Sequence, residues 1–341
     1  IDALERLYRA TGDWPNLVGI YRQKVALTGD AEEQIACLFE IATLEDEALH
    51  SPDAAVEACR QVLDLDPVNP RAFGMLQLLF KREKRWTDLL ELLEQALGIA
   101  STPPAMDAIQ MQIGELLVGE LAQVEDAIES YRSVLDRTPR HEGAMAALEK
   151  LLARPEVRDR AARVLEPQYE AGESWTSLVR VLEVQRQEVP DAVGRVELLR
   201  RIAELQEERL GNQRAAFEAL GLAFREDPQD SEILAELDRL ARGLDDLRAL
   251  CGLQEEVLGG TDDPQLKRDL SRRVARLLDQ ELAAGAEAIP HYRRLLEFDE
   301  LDEEALAARD RIHLARSEWR ELQEVLQRRV DLAQGPEALE L

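Results

Sequence analysis

"DAIESYRSVLDRTP", residues 126–139, decides the fold, because its skeleton is written again three times. "AAVEACRQVLDLDP" occupies 54–67, "AAFEALGLAFREDP" 215–228 and "EAIPHYRRLLEFDE" 287–300. In each, apolar residues return at helical spacing along one stripe, the pattern of an amphipathic helix. Aligned on Ala54, Asp126, Ala215 and Glu287, the copies stand 72, 89 and 72 residues apart. Ile41, Ile113, Ile202 and Val274 give the same three steps, and Trp14 recurs as Trp86 after 72. The markers agree on a unit of 72 residues interrupted by one insertion of 17. A fixed period of this kind is the signature of a repeat array.

Composition agrees. The 341 residues are 45% hydrophobic but only 4% aromatic, and Leu, Ala, Glu and Arg, all good helix formers, predominate. The chain is expected to be all-α. Each unit holds four helices by pattern, as in "DAAVEACRQVLDLD", "RAFGMLQLLFKREK" and "RWTDLLELLEQALG" between Asp53 and Gly98. Asp30 and Thr102 are read as N-caps, and Pro52 and Pro103 as first-turn prolines. Gly12, Gly29 and Gly211 stand where helices end. Connections of two to five residues make neighbouring helices antiparallel hairpins.

These stretches resemble the tetratricopeptide repeat (TPR). "AIESYRSVLDRTP" and "AVEACRQVLDLDP" carry that family's opening Ala, an aromatic place one turn later and a closing Pro, and "TGDW" resembles the turn that joins its two helices. The resemblance covers almost the whole chain as nine helix pairs, the first truncated. Two kinds of pair alternate. One keeps a small residue where the helices approach: Ala42, Gly114, Ala203 and Ala275. The other places Glu5, Gln77, Glu149, Asp238 and Asp310 there, against the pattern. The resemblance implies a right-handed α-solenoid, a single array over 1–341. Its parts are 1–152, an inserted helix with a local bend at 153–172, and 173–341. Within "RPEVRDRAARVLEPQYEAGES" (154–174), Pro155 is expected in a first turn, and Val157, Ala161, Val164 and Leu165 on one helix face; "PEVRDRAARVL" resembles a short HEAT-type helix. The chain opens at Ile1 within a helix pattern and closes on "GPEALEL", the start of another. It is therefore expected to be a fragment of a longer protein.

Chemistry is harder to find. The net charge is −27, from 69 acidic and 42 basic residues, which disfavours nucleic acid and anionic membrane surfaces as partners. No apolar run approaches the length of a membrane span. Cys37, Cys59 and Cys251 form no CxxC pair and suit a reducing compartment, so a cytoplasmic location is expected. They are read as core residues. His50, His141, His291 and His313 are scattered, and no hydrolase, phosphate-loop or dinucleotide motif occurs. Trp14, Trp86, Trp175 and Trp319 recur at repeat spacing as packing residues at turns. No catalytic residue, metal or cofactor is expected.

One pattern stands out. At one place on the first helix of the alternate pairs stand Arg6, Leu78, Lys150, Arg239 and Arg311. Three residues on come Arg9, Lys81, Ala153, Arg242 and Leu314. The comparable place in the other pairs holds Thr43, Glu115, Glu204 and Arg276. In a TPR array this helix lines the concave groove, so the resemblance implies a partner-binding face at Arg6, Arg9, Leu78, Lys81, Lys150, Arg239, Arg242, Arg276 and Arg311. Such a ladder would grip an acidic peptide or a C-terminal carboxylate. The same residues also lie late in their helices, where cations favour the macrodipole. The expected function is a non-catalytic scaffold binding protein segments along the concave face. The alternatives are a structural spacer that stacks end to end in an assembly, or an accessory region of a larger enzyme.

Overall fold

The structure, a computed structural model, describes residues 1–332. Among them there are nineteen α-helices and no strand. Two compact units divide the chain, Ile1–Gly172 and Glu173–Leu341. The further helix expected at "GPEALEL" lies outside the described residues.

The first unit runs α1 (Asp2–Thr11), α2 (Trp14–Leu27), α3 (Ala31–Thr43), α4 (Pro52–Leu65), α5 (Pro70–Arg82), α6 (Trp86–Ile99), α7 (Pro103–Gly119), α8 (Val124–Arg137), α9 (Glu142–Leu151) and α10 (Arg158–Ala171). The second runs α11 (Trp175–Glu188), α12 (Ala192–Glu204), α13 (Gln213–Glu226), α14 (Ser231–Gly243), α15 (Leu247–Gly260), α16 (Pro264–Arg276), α17 (Gly285–Phe298), α18 (Glu303–Ala315) and α19 (Trp319–Leu332). Three first helices, α3, α12 and α16, continue into a π-helical turn at Leu44–Ala48, Leu205–Arg209 and Leu277–Glu281. We call the pairs opened by α3, α7, α12 and α16 long, and those opened by α1, α5, α9, α14 and α18 short.

The register read from sequence is repeated bond by bond. In the long pairs Leu49 N–H donates to Leu44 O, Leu121 to Leu116, Leu210 to Leu205 and Leu282 to Leu277, at 2.9–3.2 Å. In the short pairs Asp13 N–H reaches Tyr8 O, Arg85 reaches Phe80, Asp246 reaches Ala241 and Glu318 reaches His313, at 2.8–3.0 Å. In the short pairs these six-to-one bonds span a left-handed residue; in the long pairs that residue comes next, and Ser51, Gln123, Asn212 and Ala284 N–H reach back over it to Glu45, Leu117, Gln206 and Leu278 O at 2.7–2.9 Å. Gly12 and Gly211 supply it at φ 69° and 65°, while Lys84, Ala122, Asp245 and Ser317 adopt it without being glycine. At the other end, Asp30 accepts from Glu32 N–H at 3.2 Å as expected. Asn69, Asp191, Asn212 and Asp302 cap their helices in the same way. Thr102 occupies an N-cap, but its hydroxyl makes no capping bond. Pro52 and Pro103 stand in first turns.

The small residues do what the pattern implies. Ala42, Ala203 and Ala275 are buried, and a Cβ built on Gly114 would lie 2.4 Å from the Tyr131 ring. The long pairs therefore approach closely, more so than the short ones. Three of the five short pairs replace that contact with a polar one. Glu5 accepts from Tyr21 Oη at 2.9 Å and Lys24 Nζ at 2.5 Å; Glu149 accepts from the Tyr169 hydroxyl, and Asp310 from Arg329. A carboxylate at the approach keeps the helices apart and gives the second helix an acceptor instead.

The inserted helix starts later than its sequence suggests. Pro155 lies in the turn before α10, not in its first turn, and Val157 is the buried residue preceding the helix. Ala161 and Leu165 are buried as expected, joined by Ala162 and Tyr169. The helix packs on α9 and α8. Its stretch "RVLEPQ" (163–168) is nearly the "RVLEVQ" (180–185) of α11. The insertion of 17 residues thus has the spacing and wording of a copied helix rather than of a foreign one.

Candidate functional site

The ladder residues of each unit stand on first helices of both kinds of pair, and there the arginine ladder can be followed rung by rung. In the second unit every member is closed by a carboxylate. Arg239 on α14 meets Glu207 with two bonds of 2.6 and 2.7 Å, and Arg311 on α18 meets Asp279, which stands in the same place one unit on. Arg242 holds Glu281 at 2.6 and 2.8 Å and Asp238 at 2.8 Å. Arg276 holds Glu304 at 2.6 and 2.7 Å. Two-toothed guanidinium–carboxylate contacts fix geometry as well as charge. Hydrogen bonds from Arg239, Arg242 and Arg276 hold the carboxyls of Glu207, Glu281 and Glu304 below the usual range. A further registered pair lies beside them: Arg200 to Asp230 and Arg272 to Asp302, both 2.5 Å, tie one first helix to the N-cap of the next.

The first unit differs. Arg9 bonds the Tyr21 hydroxyl and Glu40, the latter at 3.1 Å. Leu78 is 71% exposed, and Asp46, which stands where Glu207 and Asp279 stand in the second unit, is taken by Arg82. Lys150 has lost its counterpart, because Val118 stands where Glu207 and Asp279 stand in the second unit. Arg6, Lys81 and Lys150 are exposed and hold no ion pair among the described residues. The nine ladder residues are therefore not one equivalent row: four are locked in the second unit, one is engaged in the first, and three cations and a leucine are open there.

The cleft between α12 and α14, about 320 Å³, carries the opposite sign. Arg200, Glu204, Glu207, Glu208, Glu236 and Arg239 line it. Both arginines are spent on carboxylates, while Glu204, Glu208 and Glu236 hold no ion pair among the described residues. The groove of the second unit is acidic, which the spacing of arginines alone did not convey.

The remaining candidates are structural. Cys37, Cys59 and Cys251 are buried free thiols, and burial pushes those of Cys59 and Cys251 up to about 11. His141 caps α9 by accepting from Ala144 N–H at 3.2 Å. His291 and His313 are buried and bond Glu255 and Glu318 at 3.0 and 2.8 Å. Trp14, Trp86 and Trp175 open their helices half-buried, whereas Trp319 is 63% exposed. Among the described residues no group of three or more His, Cys, Asp and Glu is placed to hold a metal ion, and no helix is long and apolar enough to cross a membrane.

Antiparallel helix hairpins stacked in register, two kinds in alternation, define an all-α solenoid-type repeat protein. Residues 1–35 match the family model described as Tetratricopeptide repeat, and the long pairs repeat one pattern of small residue and turn, closed by Pro67, Pro139 and Pro228 in three of the four. No curated protein matches the sequence. Among solved structures, MamA is 15% identical, covering 51% of this chain and 96% of its own, with a TM-score of 0.30. The TPR domain of P58(IPK) is 13% identical over 99% of this chain and 94% of its own, with a TM-score of 0.28. The TPR2AB domain of yeast Sti1, solved with a pHSP90 complex, is 14% identical over 77% and 99%, at 0.30.

Proposed function

We propose that the chain is a non-catalytic scaffold that holds protein segments along the row of first helices. The single observation behind this reading is the unequal state of the cation ladder. Where the register supplies a carboxylate, the arginine is closed. In the first unit, Arg6 and Lys150 stand at equivalent places of α1 and α9, and Lys81 lies three residues on from that place in α5, all with their charge unspent. A row of unpaired cations one pair of repeats apart suits an extended segment bearing acidic side chains or a free carboxylate. Leu78, exposed between them, would take an apolar side chain of the same segment.

The test is binding of a fluorescent Glu/Asp-rich peptide to the full chain at low salt, read by anisotropy. Lys81→Glu with Lys150→Glu should weaken binding by on the order of tenfold or more and leave the melting temperature unchanged. Arg239→Glu, in the locked row, should leave binding nearly untouched. Equal binding by the Lys81/Lys150 variant and the parent would refute the reading.

A second reading has an observation of its own. The closed rungs of the second unit suit a spacer whose first-helix face is satisfied internally. On that reading the acidic peptide fails to bind, and sedimentation shows association that rises with concentration.

A further inference from the structure

Polar residues gather in the core of one part of the second unit. Gln254 on α15, Ser271 on α16, His291 on α17, and Arg309 and His313 on α18 are all buried. The repeat register shows what their places hold elsewhere. Gln254 stands where Leu182 and Leu93 stand, and Ser271 where Leu199 and Leu38 stand. His291 replaces Ala219 and Ala58. Arg309 replaces Leu237, Leu148 and Leu76, and His313 replaces Ala241 and Phe80. All of those apolar counterparts are buried. Outside this stretch the same places are polar only at Tyr8, Tyr21, Gln110 and Ser130.

The bonding follows the composition. All but two of the buried side-chain nitrogen and oxygen atoms that lack a hydrogen-bond partner among the described residues lie between 254 and 313; the two others are on Arg137 and Asp159. Both amide atoms of Gln254 are unbonded, as are Ser271 Oγ, Arg309 Nε, His291 Nδ1 and His313 Nε2. Among the described residues Arg309 has no carboxylate in bonding reach, and it faces the like charges of Arg293 and Arg328, offset in part by Asp310 and Glu324. Each buried, unbonded polar atom loses the hydration it has in the unfolded chain without an equivalent return. The α12–α14 part of the same unit has an apolar core and no such atom among its described residues.

We propose that α15–α19 opens as a separate cooperative block while α12–α14 stays folded. In stacked repeats stability is set repeat by repeat and seam by seam, so a run of weak cores gives a segment its own opening equilibrium. The five polar residues set that equilibrium. They make this end of the unit a conditionally ordered element that repacks when something covers or fills it.

Native-state hydrogen exchange on the full chain, read by mass spectrometry, tests this. Amides of α16–α18 should exchange at least about tenfold faster than those of α12–α14, and as a group. Gln254→Leu with Ser271→Leu restores the leucines of sibling repeats and should slow exchange throughout α15–α19 by about tenfold, with α12–α14 unchanged. Arg309→Leu, an independent site, should do the same. Simple fraying from Leu332 inward would give a gradient that Gln254→Leu and Ser271→Leu leave untouched, and that result overturns the proposal. So does equal protection of α12–α14 and α16–α18, or faster exchange in either leucine variant.

Discussion

Gly114→Ala tests the close approach on which the long pairs depend. The new methyl would sit 2.4 Å from Tyr131 Cε1 and 2.6 Å from Cζ, inside any real carbon–carbon contact. The Tyr131 ring is 2% exposed and cannot swing away. Overpacking of this kind costs about 1–3 kcal/mol. Against it stands the helix preference for Ala over Gly, worth about 1 kcal/mol. The net expectation is a destabilisation of up to about 2 kcal/mol, read as a lower urea midpoint at unchanged slope. The partner change decides the mechanism. Tyr131→Leu alone leaves a void over Gly114 and destabilises the first unit. Combined with Gly114→Ala it recreates the Ala203/Leu220 couple of the long pair α12–α13, whose members are both buried. The double variant should therefore be more stable than the sum of the singles by about 1–2 kcal/mol, the coupling expected of residues in direct contact. Strict additivity would show that Gly114 and Tyr131 do not share the space that the geometry gives them.

Asp107, 4% exposed, accepts from Arg137 Nε at 2.8 Å and from the Thr138 hydroxyl at 2.5 Å. Burial raises its carboxyl, but the bonds from Thr138 and Arg137 outweigh burial and hold it below the usual range. Asp107→Ala strands a partly buried guanidinium and should cost the first unit about 2–3 kcal/mol in chemical denaturation. The loss should be full above pH about 4, the unfolded value, and shrink as pH falls below it. For His291 the sign is opposite in origin. Burial holds its imidazole below the ordinary value near 6.5, although Glu255 partly restores it. The unfolded chain then binds more protons, so stability is present above pH about 6.5 and declines as pH falls below it, by at most about 1.4 kcal/mol per pH unit. His291→Ala, the residue of the sibling repeats, should flatten the melting temperature between pH 5 and 6.5; a parent curve already flat there refutes the account.

The architecture was legible because it rests on features that repeat. Ile41, Ile113, Ile202 and Val274 face the shared core, and all four are buried. One period of apolar residues was therefore enough to place every hairpin. The ladder was legible as residue types but not as chemistry. Whether Arg239 is free depends on Glu207, 32 positions away and half-buried on another helix. In a chain with so many carboxylates no pattern singles that partner out. The absence of a partner for Lys150 was in principle readable, since Val118 interrupts the column that Glu207 and Asp279 share. The doubled helix was also readable from "RVLEPQ" and "RVLEVQ". Arg309 could be seen by stacking the copies, because it alone breaks a column of leucines at 4, 76, 148 and 237. The start of α10 could not: Pro155 fits a first turn and the turn before one equally well, and Val157 decided it by being buried ahead of the helix.

The rungs that join first helices carry a rule of growth. Arg239 needs an acid one hairpin behind it, and Arg242 needs one a hairpin ahead. A whole 72-residue module keeps the spacings of 32 and 39 residues that these bonds use, whereas a shorter step within the second unit moves an acid out of reach of its arginine. The one short step the chain contains, of 17 residues, falls at 153–172, where Lys150 and Ala153 hold no such rung. The charge pattern thus sets where a change of length is tolerated, and a lengthening inside the second unit should copy complete modules.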